Sequence, residues 1–145
     1  RESAAEKVAA VGQPDPRGVN GQLAATMTHA DGAISVVATT VYGWMRNEIK
    51  IVGAEGVLTV EALHNSPGPI TVTSADRRIT LTHDEPFGDQ VAGLHYQATE
   101  AARRIAAGET QTPIRTLVSS IVSMEAMDAI RREIGITYEA AGLIE

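Results

Sequence analysis

After Glu85 the spacing of apolar residues in this chain changes from two to about 3.6, and that switch constrains the fold more than any other feature. From residue 18 to about 83 the chain reads as a strand meander. Residues 22–29 put Leu23, Ala25 and Met27 on one face, and residues 33–42 put Ile34, Val36 and Ala38 on one face. Asp31 and Gly32 join these runs, a dipeptide suited to a type I′ turn because both positions tolerate positive φ. A second hairpin sets Ile49 and Ile51 before residues 53–56 and Leu58 and Val60 after them, with Gly56 expected in a left-handed bulge position. A third pairs Ile70 and Val72 with Ile79 and Leu81 across residues 75–78. Residues 7–11 add an edge strand, and residues 65–69 form a Pro/Gly break between hairpins.

Beyond the switch, Leu94, Ala98, Ala101, Ala102 and Ile105 form a helical stripe, with Asp89 as a candidate cap and Gly108 as the stop. Thr116 is placed to cap a longer helix with Leu117, Ile121, Met124, Met127, Ile130 and Ile134 on its inner face. That helix closes at Gly135, after Arg131 and Arg132 meet the negative end of its dipole. Strands first and helices last predict an α+β fold, an open, mostly antiparallel β-sheet of five to six or more strands with two C-terminal helices packed on one face. Residues 1–138 are expected to form this domain and residues 139–145 a tail. Two helices cover one face only. Thr26, Thr28, Thr39, Thr59, Thr71, Thr73, Thr80 and Thr82 recur at alternate positions, so the uncovered face is either solvated or the contact surface of a homodimer.

The charge and the rarity of aromatic residues remove several function classes. Eighteen acidic and twelve basic residues give a net charge of −6, and one Trp, three Tyr and one Phe offer little to stack on bases. The expectation is no nucleic acid and no membrane partner. Cysteine is absent, which excludes disulfides and thiolate metal sites; a cytoplasmic soluble domain is expected. His29, His64, His83 and His95 are scattered without metal-ligand spacing, so no metal is expected. Neither the glycine-bearing segment at residues 12–18 nor that at 53–56 fits GxGxxG between a strand and a helix, and no GxxxxGK phosphate loop occurs. The chain alone is not expected to bind NAD or NADP.

Two places gather side chains that could meet a small-molecule substrate. Phe87, His95 and Tyr96 bring an apolar ring, a titratable ring and a phenol to a loop and the helix start that follows it. The competing reading is packing for Phe87 and Tyr96 and simple exposure for His95. Trp44 and Arg46 lie between two strands, where a sole Trp is an interface anchor or a pocket wall.

The ordered segments HADGAISVVATT (29–40), NEIKIVGAEGVLTV (47–60), GLHYQATEAARRIAAGE (93–109) and TPIRTLVSSIVSMEAMDAIRREIGITY (112–138) resemble the C-terminal domain of the Gfo/Idh/MocA oxidoreductases, nearest the dimeric dihydrodiol dehydrogenase branch. The resemblance implies an NAD(P)-dependent dehydrogenase of a sugar, polyol or related alcohol. In that family an N-terminal Rossmann domain, missing from this chain, holds the cofactor, and this domain shapes the substrate pocket and dimerises. It implies no catalytic residue here, since the family's lysine and Asp/His pair lie upstream. Glu6 and Lys7 precede Val8 where the family's EKP motif has proline, and Lys7 reads as an ordinary strand charge. Phe87 is the nearest match to a pocket-facing aromatic of the dihydrodiol branch, and Gln97 stands where the family often has Glu. The isolated domain is expected to be folded, dimeric and inert; the rival expectation is a stand-alone, noncatalytic assembly module.

Overall fold

The computed structural model describes residues 4–61, 68–84 and 93–136. Seven strands precede two helices: β1 (Ala5–Pro14), β2 (Asn20–His29), β3 (Ile34–Thr40), β4 (Ile49–Gly53), β5 (Gly56–Val60), β6 (Ile70–Ser74), β7 (Thr80–His83), α1 (Leu94–Ala106) and α2 (Leu117–Glu133). The α+β expectation holds, with every described strand pair antiparallel. The strands form two hydrogen-bonded sets, β1-β2-β3 and β4-β5-β6-β7. They belong to two compact units, the first Arg1–Met45 with Pro113–Glu145 and the second Arg46–Thr112.

In the first unit, α2 packs against β1, and the core is Leu23, Ala25 and Ile130 with Val8, Ala10, Met27 and Ile134 around them. Register explains this membership. Val8 faces Met27, Ala10 faces Ala25 and Gly12 faces Leu23, so these side chains share the side that α2 covers. Burying one such aliphatic side chain contributes about 1.5–3 kcal/mol, which makes this small cluster the main apolar anchor of the unit.

The hairpin between β2 and β3 departs from the expected type I′ turn. Gly32 has φ +82°, but Asp31 does not take a positive φ. The His29 N–H donates to the Ala33 carbonyl at 3.0 Å and the Gly32 N–H to that of His29 at 2.9 Å, leaving a three-residue loop in which Gly32 supplies the left-handed step. Asp31 Oδ1 accepts from the Ala33 N–H at 3.1 Å. A two-residue loop at Asp31-Gly32 would set Ala25 opposite Ala38. The observed loop sets Ala25 opposite Val37 and Met27 opposite Ser35. One residue of slip turns every β3 side chain over, so Ile34, Val36 and Ala38 lie on the face away from α2. Ile34 is 69% exposed and Val36 73%.

α2 begins as expected, with the Thr116 hydroxyl accepting from the Ser119 N–H at 3.1 Å, and ends at Gly135 with φ +74°. Of the six residues expected on its covered face, only Ile130 and Ile134 are there. Ser119 and Ile130 are buried and Ile134 half-buried, whereas Leu117, Ile121, Met124 and Met127 are exposed. Val122, Ala126 and Ala129 face β1 across a recess that Ala5 and Val8 also line, while Leu117, Val118 and Ile121 are turned to solvent.

The second unit contains the other two expected hairpins. Ile51 faces Leu58 across the Ala54-Glu55 turn, and Val72 faces Leu81 across the turn at residues 75–78. Gly56 is not in the left-handed region; it is a strand residue whose added Cβ would run into the Thr73 carbonyl. One face of this sheet is aliphatic, with Ile49, Ile51, Leu58, Val60, Ile70, Val72 and Leu81, and the other carries Thr59, Thr71, Thr73, Thr80 and Thr82. α1 starts after Gly93 with no side-chain cap, and none of its residues is buried. The expected cap Asp89, like the Pro/Gly break at 65–67 and the tail at 139–145, lies outside the described residues.

Candidate functional site

His95 and Tyr96 occupy the first turn of α1, where neighbours on a helix diverge by about 100°. Their rings nevertheless meet, centroids 4.1 Å apart and planes tilted by 36°. Tyr96 donates its backbone N–H to the Gly93 carbonyl at 3.2 Å and is 42% exposed. The contact brings a phenol ring and an imidazole ring together at the start of α1. Phe87, the third member expected here, lies outside the described residues.

Arg46 is also in the second unit but is engaged by acids. Its Nε lies 2.8 Å from Glu48 and its guanidinium NH2 2.6 Å from Glu61; Lys50 closes the chain at 2.8 Å from Glu48. Lys50, and then Arg46, hold the Glu48 carboxyl below its ordinary range. Arg46 therefore joins the lead-in to β4 to the end of β5. Trp44 belongs to the first unit and is 88% exposed. Of the four expected pocket residues that are described, His95 and Tyr96 are in ring contact.

Sequence reasoning passed over a cluster at the other end of the first sheet. Asp15 is 6% exposed and lies in the turn between β1 and β2. It accepts from Arg17 Nε at 2.6 Å, from the guanidinium NH2 at 3.2 Å and from the Arg17 backbone N–H at 2.9 Å. These bonds, assisted by the Tyr42 hydroxyl, lower its pKa to about 2. Desolvation, followed by the bond to Asp15, raises the phenol pKa of Tyr42. Gly21 permits this arrangement, because any Cβ there would collide with the Tyr42 hydroxyl and the Gln13 carbonyl. The signal was present in Asp15-Pro16-Arg17-Gly18, a turn sequence with Asp first, Pro second and Gly fourth. The cluster closes a turn; its charges are mutually satisfied.

Beyond these groups, the described residues contain no set of three or more His, Cys, Asp or Glu side chains placed to hold a metal, and no helix long and apolar enough to cross a membrane. The described elements also do not fit a dinucleotide. Pyrophosphate binding of that kind uses a helix N-terminus within a parallel βαβ unit, and all pairings here are antiparallel.

No protein-family profile matches the chain. Its sequence is 24% identical over 135 residues to trans-1,2-dihydrobenzene-1,2-diol dehydrogenase of Xenopus tropicalis, covering 92% of this chain and 41% of that protein. Among solved structures, it matches UDP-N-acetylglucosamine 3-dehydrogenase from Acidithiobacillus ferrooxidans with a TM-score of 0.70 at 18% identity, over 91% of this chain and 41% of the other. It matches levoglucosan dehydrogenase in complex with NADH and L-sorbose with a TM-score of 0.62 at 20% identity, over 92% and 44%. The resemblance to the C-terminal part of the Gfo/Idh/MocA-type oxidoreductases is thereby borne out, and the chain spans about two fifths of the length of these relatives.

Proposed function

We propose that this chain is the substrate-side and dimerisation domain, residues 1–138, of a cytoplasmic NAD(P)-dependent oxidoreductase acting on a sugar, polyol or related alcohol. The observation that carries the reading is the joint match in sequence and fold to oxidoreductases of which the chain covers only about two fifths. Such a reaction moves a hydride between a carbinol carbon and the nicotinamide while a base handles the hydroxyl proton. The described residues of this chain do not fit the cofactor, so in this reading it is held by another part of the complete protein. Here the domain's task is to shape the alcohol's pocket. His95 and Tyr96 are the best-supported lining residues because their rings meet at the start of α1; Phe87, Trp44 and Arg46 remain candidates. By itself the domain is inert.

Titrating the chain with NADH and with NADPH while following cofactor fluorescence tests inertness. No change up to millimolar cofactor is expected, and saturable micromolar binding would overturn it. For dimerisation, the supporting feature is the side of the first sheet opposite α2, where Val11 is 74% exposed alongside Ile34 and Val36. Sedimentation at micromolar concentration should show a dimer; a monomer defeats this part of the reading. The same exposed face favours a second reading, a noncatalytic module that joins a partner through it. That reading gains if the gene proves to start at residue 1 rather than to encode a strand, GxGxxG and EKP segment upstream.

A further inference from the structure

No residue of α1 is buried, and its aliphatic ends, Leu94 and Ile105, are 67% and 75% exposed. Among the described residues, apolar burial therefore does little to fix this helix, and its anchor is polar. Glu100, whose side chain is only 16% exposed, accepts from Arg104 Nε at 2.7 Å, from Arg103 Nη1 at 3.1 Å and from the Thr112 hydroxyl at 2.8 Å. The two arginine bonds run along α1 itself, at the i,i+4 and i,i+3 spacings of ordinary solvated helix pairs. The threonine bond does not. Thr112 lies past the helix end, beyond Gly108, whose φ of +72° reverses the chain. There the Glu109 N–H donates to the Arg104 carbonyl at 2.9 Å and the Gly108 N–H to that of Ile105 at 3.0 Å, a Schellman cap. Glu109 then reaches Arg104 at 2.9 Å, so the segment after α1 returns along its last turns to Glu100. The Arg104 and then the Thr112 hydrogen bonds hold the Glu100 carboxyl below its ordinary range.

Tyr96 lies four residues before Glu100, on the same side of α1 and about 6 Å along its axis, and its ring meets that of His95. A roll of the helix by about 20° carries a side-chain tip about 6 Å from the axis through about 2 Å. A misplacement of about 1 Å is enough to change a catalysed rate about 100-fold. The bond that resists such a roll is the one leaving the helix, because bonds within α1 turn with it. We propose that Glu100 is a positioning residue: by accepting from the Thr112 hydroxyl it fixes the roll of α1, and with it the direction in which Tyr96 and His95 meet the alcohol. The proposal rests on the reading above that this pair lines the pocket, and goes beyond it by naming the group that aims the pair.

The absence of native cysteine allows spin labels at Ala98→Cys on α1 and Thr82→Cys on β7, both exposed, and a measured distribution of the distance between them. With Thr112 in place the distribution should be narrow. Thr112→Val keeps the shape and loses the hydroxyl, and should widen it about twofold or more, whereas Thr112→Ser keeps the hydroxyl and should leave it narrow. A threonine that only packs would give the opposite order. Glu100→Ala places the best helix former in α1, should widen the distribution as Thr112→Val does, and decides the matter should that variant lose its circular-dichroism signature. Unchanged widths in the folded variants overturn the proposal. In the complete protein, oxidation of D-glucose, D-xylose and myo-inositol, followed by nicotinamide absorbance, separates the proposal from the reading beneath it. Thr112→Val should raise the KM for the oxidised sugar or polyol about fivefold or more, with the nicotinamide KM within about twofold of native. If Tyr96→Phe or His95→Ala raises that KM and Thr112→Val does not, the positioning role alone is overturned. If neither raises it, or none of the three alcohols is oxidised, the pocket reading falls and the aiming role falls with it.

Discussion

The two units use the same parts, an antiparallel sheet and one helix, yet among the described residues only the first withdraws any side chain almost fully from water. Leu23, Ala25 and Ile130 meet beneath α2, whereas β4 is exposed throughout and β5 is half-buried at every position. The aliphatic content of the second sheet is not lower, since Ile49, Ile51, Leu58, Val60, Ile70, Val72 and Leu81 share one face. The difference is the cover. α2 packs on its sheet and buries Ile130 there, while α1 has Leu94 and Ile105 turned to solvent. Apolar pattern makes burial possible, and a helix packed on the sheet achieves it.

The sharpest way to break this comparison is to hollow both sheets equally. Leu23→Ala or Ile130→Ala should cost about 2–4 kcal/mol in urea denaturation, whereas Leu58→Ala should cost under about 1.5 kcal/mol because water already reaches its site. Equal losses would abolish the distinction. Next in size, Gly21→Ala forces a Cβ against the Tyr42 hydroxyl and the Gln13 carbonyl and should cost about 1–3 kcal/mol. Thr116→Ala removes the only described side-chain cap among the two helices and should cost about 1 kcal/mol, with α1 providing no equivalent site.

A smaller effect is read by pH. Asp15 titrates at about 2 in the folded chain, below its usual 3.8. Its contribution is therefore complete above about pH 4 and disappears as pH falls toward 2, because the unfolded chain binds the proton first. Asp15→Asn should flatten the stability profile across that window, as measured by thermal melts. Smallest of all, Arg46→Ala in the second unit should give only a slight loss that vanishes in 1 M salt, since its partners Glu48 and Glu61 are partly solvated.

Most of the element order was legible in the sequence because it follows from local chemistry: alternation in the strands, Thr116 before a helix, Gly108 and Gly135 after helices. What escaped depended on geometry beyond one element. Ile34-Val36-Ala38 and Ser35-Val37-Thr39 are both acceptable inner faces for β3, and only the length of the hairpin loop chooses between them. For α2, the six large residues suggested the buried stripe, yet only Ile130 and Ile134 join the core, while Ser119 near the helix start is buried. At the candidate site, the segment with His95 and Tyr96 was identified, but their ring contact was not, and the ion pairs that engage Arg46 join residues separated by as many as 15 positions. Charge partners across such a gap leave no periodic trace.

The loop of Ala30, Asp31 and Gly32 has a consequence for how such a surface can change over generations. Asp31→Asn, which accepts the positive φ of a type I′ turn more readily, would favour a two-residue connection that pairs Ala30 with Ala33 and exchanges Ile34, Val36 and Ala38 for Ser35, Val37 and Thr39 on the outer side of β3. The wettability of that side is thus adjustable by a single substitution in the turn, with no residue on the strand replaced.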